Sequence, residues 1–324
     1  MSTAATENTT STPLNTVGTD WANICLPDAW PDQITSNWRR LAMVISNMLR
    51  KKVQRVQLPD AMPGRERLPK YLFQEFHHLP NGNYSKTISR GYANSFNKAM
   101  LGSLTTARAE IARRLVSCKR VLDIGCGAGH LTGAMQSAGI DKIWALEPSP
   151  YLLQHAARDY PGANFVQGVI ENSGLPSASF DGAAACFVFH EIPPPQANAA
   201  LRELSRLMLP GAILVLVEPS PTQIQLSYGQ VWRRYGWRGM YFRALALRTH
   251  EPFVKAWHKT NLSAWFNANG FTLVEDVDQM PWRMIEARRN DSLTGFSYHP
   301  KPCCTEAYKF IEPPNRPSKP MMIR

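Results

Sequence analysis

A carboxylate two residues ahead of alternating glycines is the strongest chemical signal in the sequence: Asp123-Ile124-Gly125-Cys126-Gly127-Ala128-Gly129. The segment follows a short apolar run and opens a helical one. Glycines let a backbone approach a ligand closely, and the first amides of a helix are free to donate to it. A dinucleotide fingerprint, G-x-G-x-x-G, needs a glycine where this chain has His130. Asp123 would repel a pyrophosphate and attract an ammonium group. Glu147 ends the next apolar run about twenty residues on, the place of an acid that accepts hydrogen bonds from ribose hydroxyls. Its plainer reading is a solvated charge at a strand end. A ligand with a ribose, an ammonium group and no phosphate suits both carboxylates.

Other residues offer chemistry toward a second molecule. His190 and Glu191 follow the run "DGAAACFVF", at the sheet edge where ligands of α/β proteins bind. His190 is the candidate general base, with packing beside the ligand as the alternative. Glu191 is a substrate or structural candidate. Upstream, His77, His78, Tyr84, Arg90 and Tyr92 form either a lid or a helical cap. The aromatic and basic stretch 219–258 is the stronger expectation for a lid insert, with Arg234 and Trp237 gripping an aromatic or acidic molecule. The same stretch also reads as an interfacial segment facing acidic lipid, or as a plain partner-packing surface. No His, Cys, Asp and Glu set has metal-ligand spacing and no G-x-S-x-G occurs, so neither a metal site nor a serine triad is expected.

These residues need a frame. Strands are expected at "RVLDIG", "KIWALEP", "NFVQGV", "DGAAACFVF" and "AILVLVEP", with helices at "HLTGAMQSAG", "PYLLQHAARDY" and "PPQANAALRELSRLML" between them. Such alternation implies a parallel sheet covered on both faces. After the insert come a helix, "LSAWFNANG", and two strands with no helix between them, "FTLVEDVDQ" and "PWRMIEARR", which predicts an antiparallel edge hairpin. Residues 21–117 are expected as a helical cap region before the 118–289 core domain. In it, Trp38, Leu41, Ala42, Ile45, Leu49 and Val53 recur at helical spacing behind a Thr35 or Ser36 cap. A second helix is expected from Asn97 to Val116. Residues 1–20 and 290–324 read as a disordered and an extended tail.

Here a resemblance enters. "VLDIGCGAG", "ALEPSP", "SFDGAAACFVFHEI" and "LPGAILVLVEP" resemble successive motifs of class I S-adenosylmethionine-dependent methyltransferases. They are most similar to the small-molecule branch that includes the ubiquinone and menaquinone C-methylases. The resemblance covers about Arg120 to Arg289. It implies a Rossmann-like, seven-stranded, mostly parallel α/β sheet. It also implies S-adenosylmethionine as cofactor, with Asp123, Gly125, Gly127 and Gly129 at the methionine part and Glu147 at the ribose. Pro148 would pack near the adenine, and Ile170 and Glu171 would line its far end. Where that family places an acid after the glycine that ends the third strand, this chain has Val169. Either Glu171 substitutes, or backbone and packing hold the adenine.

Composition bounds the rest. The chain of 324 residues carries a net charge of +11. The excess lies in the flanks: residues 119–218 hold six basic and nine acidic side chains, residues 31–70 nine and three, residues 231–260 seven and one. Such fields attract nucleic acid, acidic headgroups or acidic metabolites. The six cysteines show no CxxC pairing, with Cys126 and Cys186 reading as core and Cys303-Cys304 as incidental thiols; a cytoplasmic setting is expected. The leading expectation is methyl transfer to a small anionic or amphipathic metabolite. An RNA methyltransferase using the basic flanks is the alternative, without an N/D-P-P-Y/F signature or RNA-binding module to support it. A non-catalytic adenosylmethionine-binding partner protein is the third reading. No stable nucleic-acid complex is expected, and the oligomeric state is open.

Overall fold

The computed structural model describes residues 18–50, 52 and 54–291. Seven strands form one sheet: β1 (Val121–Ile124), β2 (Ile143–Glu147), β3 (Asn164–Gln167), β4 (Phe180–Cys186), β5 (Met208–Pro219), β6 (Phe271–Gln279) and β7 (Trp282–Arg289). Their order is β3-β2-β1-β4-β5-β7-β6. The first five are parallel, and β7 runs antiparallel to both β5 and β6. All seven expected strands and the edge hairpin are present. Every residue of β1 is buried, as a strand covered by helices on both faces must be. In β4, Gly182-Ala183-Ala184-Ala185 lets helices pack close; a Cβ on Gly182 would meet Cys118 at 2.8 Å.

Among the described residues ten α-helices accompany the sheet: α1 (Asn37–Leu49), α2 (Lys86–Ala99), α3 (Ser103–Leu115), α4 (His130–Ser137), α5 (Pro150–Asp159), α6 (Pro194–Leu207), α7 (Thr222–Gln225), α8 (Tyr228–Arg248), α9 (Val254–Lys259) and α10 (Leu262–Asn267). The main core holds Leu122, Ile124, Phe180, Leu201, Leu204, Leu214, Leu216, Phe266 and Phe271 under α6, α9 and α10. A second core on the opposite face packs Leu104, Ile111, Leu115 and Met135 on Val121, Ile143, Val215 and Met284.

One expectation of the N-terminal region needs correction. The single helix Asn97–Val116 is two helices, α2 and α3. Leu101 and Gly102, both at positive φ (49° and 74°), break the chain between them. In α1, which is present as expected, the apolar stripe faces outward: Trp38, Leu41, Ile45 and Leu49 are 68, 62, 48 and 70% exposed. The helix docks through a polar residue instead. Buried Asn47 donates from Nδ2 to Glu75 Oε2 (3.1 Å) and to the His78 carbonyl (2.7 Å). Periodicity found the amphipathic helix; it could not say which face has a partner. Ser36 is the N-cap residue, without a side-chain cap bond. Lys51, Val53, most of the expected N-terminal tail and Cys303-Cys304 lie outside the described residues.

Candidate functional site

The glycine turn crosses the C-terminal edge of β1 and enters α4. Gly125 and Gly127 have φ of 61° and 54°, a region disfavoured for residues with a side chain. A Cβ on Gly125 would strike Val188 at 2.7 Å, whereas one on Gly127 would project into open space. That space belongs to a cavity along the sheet edge. It is bounded by the turn, by Leu146–Ser149 after β2, by Gly168–Glu171 after β3 and by Cys186–Val188 after β4. Gly129 (φ 82°) is the N-cap of α4 and provides no side-chain cap, which leaves the first helical amides available.

Asp123 is 1% exposed. Its Oδ2 accepts from the Thr132 hydroxyl (2.6 Å), and its buried Oδ1 has no hydrogen-bond partner. Burial lifts its pKa to about 7, against the Thr132 bond and the charge of Arg108. An unpaired buried carboxylate oxygen costs free energy unless a donor meets it. Glu147 closes the other side: its oxygens accept the Gly127 and Ser149 amides, both at 3.0 Å. Burial lifts Glu147 to about 7 as well, the two backbone donors opposing. Each oxygen of Glu147 keeps an acceptor lone pair. Pro148, Ile170 and Glu171 line the same cavity. Glu171 accepts the Tyr71 hydroxyl at Oε1 (2.8 Å), and its buried Oε2 is unpaired.

The cavity's remaining wall comes from the N-terminal region: Tyr71, Phe76, Tyr84, Tyr92, Phe96 and Arg108 line it. Tyr92 stacks on Phe96 (4.9 Å between centroids), and Phe96 meets Phe187 edge-on at 6.4 Å. The 219–258 insert provides no lining residue. Instead α8 packs on the α2–α3 corner, where Tyr241 donates to the Ala99 carbonyl at 2.7 Å. Trp237 is 60% exposed, Arg234 is exposed, and neither reaches the cavity. The expected roles of the two segments are thus exchanged: the N-terminal region covers the cavity and the insert does not.

Glu191 lines this cavity and belongs, with the buried His190 beside it, to a non-local cluster. His190 is completely buried, and its Nδ1 lies 2.7 Å from Glu218 Oε2. Glu218 also accepts the amides of Val188, Phe189 and His190. Burial alone would lower the His190 pKa; the charges of Glu251, Glu218 and Glu191 outweigh it and hold it at about 9. Its Nε2 faces Glu191 and Glu251, 3.9 and 3.8 Å from their Oε1 atoms. His77 Nε2 lies 2.9 Å from Glu191 Oε1 and 3.7 Å from Glu251 Oε1. Glu191, despite burial, is held below the usual carboxylate range by His77 and His190. Sequence reasoning missed Arg108, Glu218 and Glu251. Glu218-Pro219 repeats the Glu147-Pro148 pattern at the end of a parallel strand, a signal that was available; Arg108 and Glu251 gave none.

A parallel sheet extended by the β7–β6 hairpin, with a glycine turn after β1 and an acid ending β2, is the architecture of a class I S-adenosylmethionine-dependent methyltransferase domain, and the chain carries such a domain. A family model described as a methyltransferase domain matches residues 122–216. The chain is 29% identical over 182 residues to a ubiquinone biosynthesis O-methyltransferase of Xanthomonas oryzae pv. oryzae, covering 53% of this chain and 71% of that protein. It is 31% identical over 100 residues to an uncharacterised methyltransferase of Synechocystis, covering 31% of this chain and 47% of that one, so it spans about half of that relative's length. Among solved structures, it is similar to the magnesium protoporphyrin IX methyltransferase of Synechocystis with bound S-adenosylhomocysteine, at 18% identity and a TM-score of 0.44 over 64% of this chain and all of that one. Among the described residues, no helix is long and apolar enough to cross a membrane.

Proposed function

We propose that the protein transfers a methyl group from S-adenosylmethionine to a hydroxyl on a small, aromatic, amphipathic acceptor. The observation that carries this reading is the aromatic wall Tyr92–Phe96–Phe187, set between the glycine turn and the His190 cluster. The relatives named for ubiquinone biosynthesis O-methylation agree with a ring-bearing acceptor that has an apolar tail. In the cofactor, the unpaired Oδ1 of Asp123 takes the ammonium group, and Arg108, on the same cavity wall, takes the carboxylate. Gly125, Gly127 and Gly129 leave room for the methionine chain. Glu147 accepts the ribose hydroxyls. Pro148 and Ile170 pack at the adenine, and Glu171, oriented by Tyr71, accepts from its amino group in place of the acid absent at Val169. Tyr84 and Tyr92 hold the acceptor.

The chemistry is an in-line displacement at a sulfonium. The acceptor oxygen loses its proton to solvent and forms the O–C bond. The C–S bond breaks with its electron pair left on sulfur, which becomes a neutral thioether. The protein's part is to align oxygen, carbon and sulfur and to exclude water. Labelled methyl should pass from S-adenosylmethionine to ring-hydroxylated benzoates carrying a short prenyl tail. Label recovered in RNA, or no transfer to any such phenol by protein that binds S-adenosylhomocysteine, would remove this reading.

Access to a tailed acceptor suits an anionic membrane surface. On α1, Trp38, Leu41, Ile45 and Leu49 are exposed, and α8 exposes Tyr228, Trp232, Trp237 and Leu247. Residues 33–59 hold six basic and no acidic side chains; residues 219–250 hold five and none. Apolar residues flanked by cations bind acidic headgroups, each cation contributing about 1 kcal/mol near the surface. The protein should therefore sediment with phosphatidylglycerol vesicles and not with phosphatidylcholine vesicles. Replacing Trp38 and Leu41 by Ala should weaken that binding at least about tenfold, since two buried apolar side chains contribute roughly 3 kcal/mol. Equal binding to both vesicle types would remove the membrane assignment.

A further inference from the structure

The cluster at the inner end of the cavity has a geometry that the transfer chemistry described above does not require. His77 comes from the N-terminal region, His190 and Glu191 from the turn after β4, and Glu251 from the segment after α8. One ligand-type atom from each of His77, His190 and Glu191 lies within 4.8 Å of the other two. The separations are 2.9 Å (His77 Nε2 to Glu191 Oε1), 3.9 Å (His190 Nε2 to Glu191 Oε1), and 3.7 and 3.8 Å from Glu251 Oε1 to the two imidazole nitrogens. Zinc bonds of about 2.1 Å at tetrahedral angles put neighbouring ligand atoms about 3.3 Å apart. The four separations bracket that value.

Two further observations point inward. His190 Nε2 is fully buried and has no hydrogen-bond partner. Its other nitrogen, Nδ1, is held by Glu218 at 2.7 Å, and Glu218 is itself fixed by three backbone amides. A carboxylate on the far nitrogen of an imidazole is the usual way a protein orients a metal-binding histidine. Nothing else in the cluster uses the nitrogen that Glu218 aims at the centre.

We propose that His77, His190 and Glu191 bind a divalent transition metal, zinc being the fitting probe, with Glu251 closing the site. Two imidazoles and a carboxylate are a ligand set that leaves coordination positions open. Glu191 is the link to function, because it belongs both to the cluster and to the cavity lining. A metal there faces the compartment assigned to the acceptor. Resting on the methyl-transfer reading, its role is to bind the acceptor hydroxyl and lower the cost of ionising it, as metal-bound water is made more acidic. That removes the need for a protein base. Local spacing does not reveal the site, because its ligands stand 113, 1 and 60 positions apart along the chain and only the fold brings them together.

The test is zinc binding by the full chain, read by competition with a chromophoric chelator and by metal content after dialysis. One zinc per chain is expected. His77→Ala should weaken binding at least about 100-fold, and Glu218→Gln, which touches no metal, about 10- to 100-fold. His155→Ala, on α5, should leave it unchanged. S-adenosylhomocysteine binding, measured on the same samples, reports folding and cofactor-site integrity independently of zinc. Failure of wild type to bind one equivalent, or binding unaltered by His77→Ala in protein that still binds S-adenosylhomocysteine, overturns the proposal whatever the acceptor proves to be.

Discussion

Asp123→Asn is expected to raise the dissociation constant for S-adenosylhomocysteine about 10- to 100-fold, the value of one charge-assisted hydrogen bond. The substitution keeps shape, and its one acceptor oxygen can still take the Thr132 hydroxyl, so the charge and the second acceptor are what it removes. Wild-type affinity should itself depend on pH. The pKa values of Asp123 and Glu147 both stand at about 7 in the free protein, lifted by burial. A ligand that donates an ammonium group and ribose hydroxyls selects the ionised forms. Affinity should therefore rise from pH 6 toward pH 8 and level off above, with a shallower slope in Asp123→Asn. Stability of the free protein should run the other way. These carboxyls ionise near 4 when unfolded and near 7 when folded, so between those values the folded state binds more protons. Stability from this source is full below the unfolded pKa and falls as pH rises through about 7. At pH 8, Asp123→Asn without ligand should melt above wild type. Calorimetric titration and thermal melts at pH 6, 7 and 8 check both signs. An affinity unchanged by the substitution would sink the assignment of Asp123.

Much of this was legible in residue order. The five parallel strands were visible because strands buried on both faces are continuous apolar runs, and the edge hairpin because no helix separates β6 from β7. The glycine turn was legible because its constraint is local: positive φ and close approach are properties of the residues themselves. What stayed hidden depends on partners distant in sequence. The α1 stripe has the periodicity of a buried face, yet buried Asn47 anchors the helix and the stripe points to solvent. The 219–258 stretch has the composition of a lid, but Tyr241 and Phe242 pack it on α2 and α3. Tyr84 and Tyr92, already candidates for a lid or a cap, line the cavity, but only the fold decides between those two readings. The cluster around His190 stayed hidden for a similar reason, because His77, His190 and Glu251 come from three separate parts of the chain.

Glu218→Gln is expected to produce the largest loss of stability. The carboxylate is fully buried and accepts four donors: the amides of Val188, Phe189 and His190, and His190 Nδ1. It therefore sets the path of the turn that carries Phe187, His190 and Glu191. A carboxamide has one acceptor oxygen and places an NH2 against donors that it cannot satisfy. Breaking a buried charge-assisted set of this kind costs on the order of 3 kcal/mol. For a chain of this size that is a fall in Tm of roughly 4–6 °C. Glu251→Gln changes the same cluster but bonds no backbone amide, so it should cost far less. The contrast separates the two uses of carboxylate here: Glu218 builds the loop, and Glu251 only faces the imidazoles. Urea denaturation of both variants measures it. If Glu218→Gln costs less than about 1 kcal/mol, the turn is held by its packing on Trp257 and Trp265 through Phe189, and the carboxylate is not what positions His190.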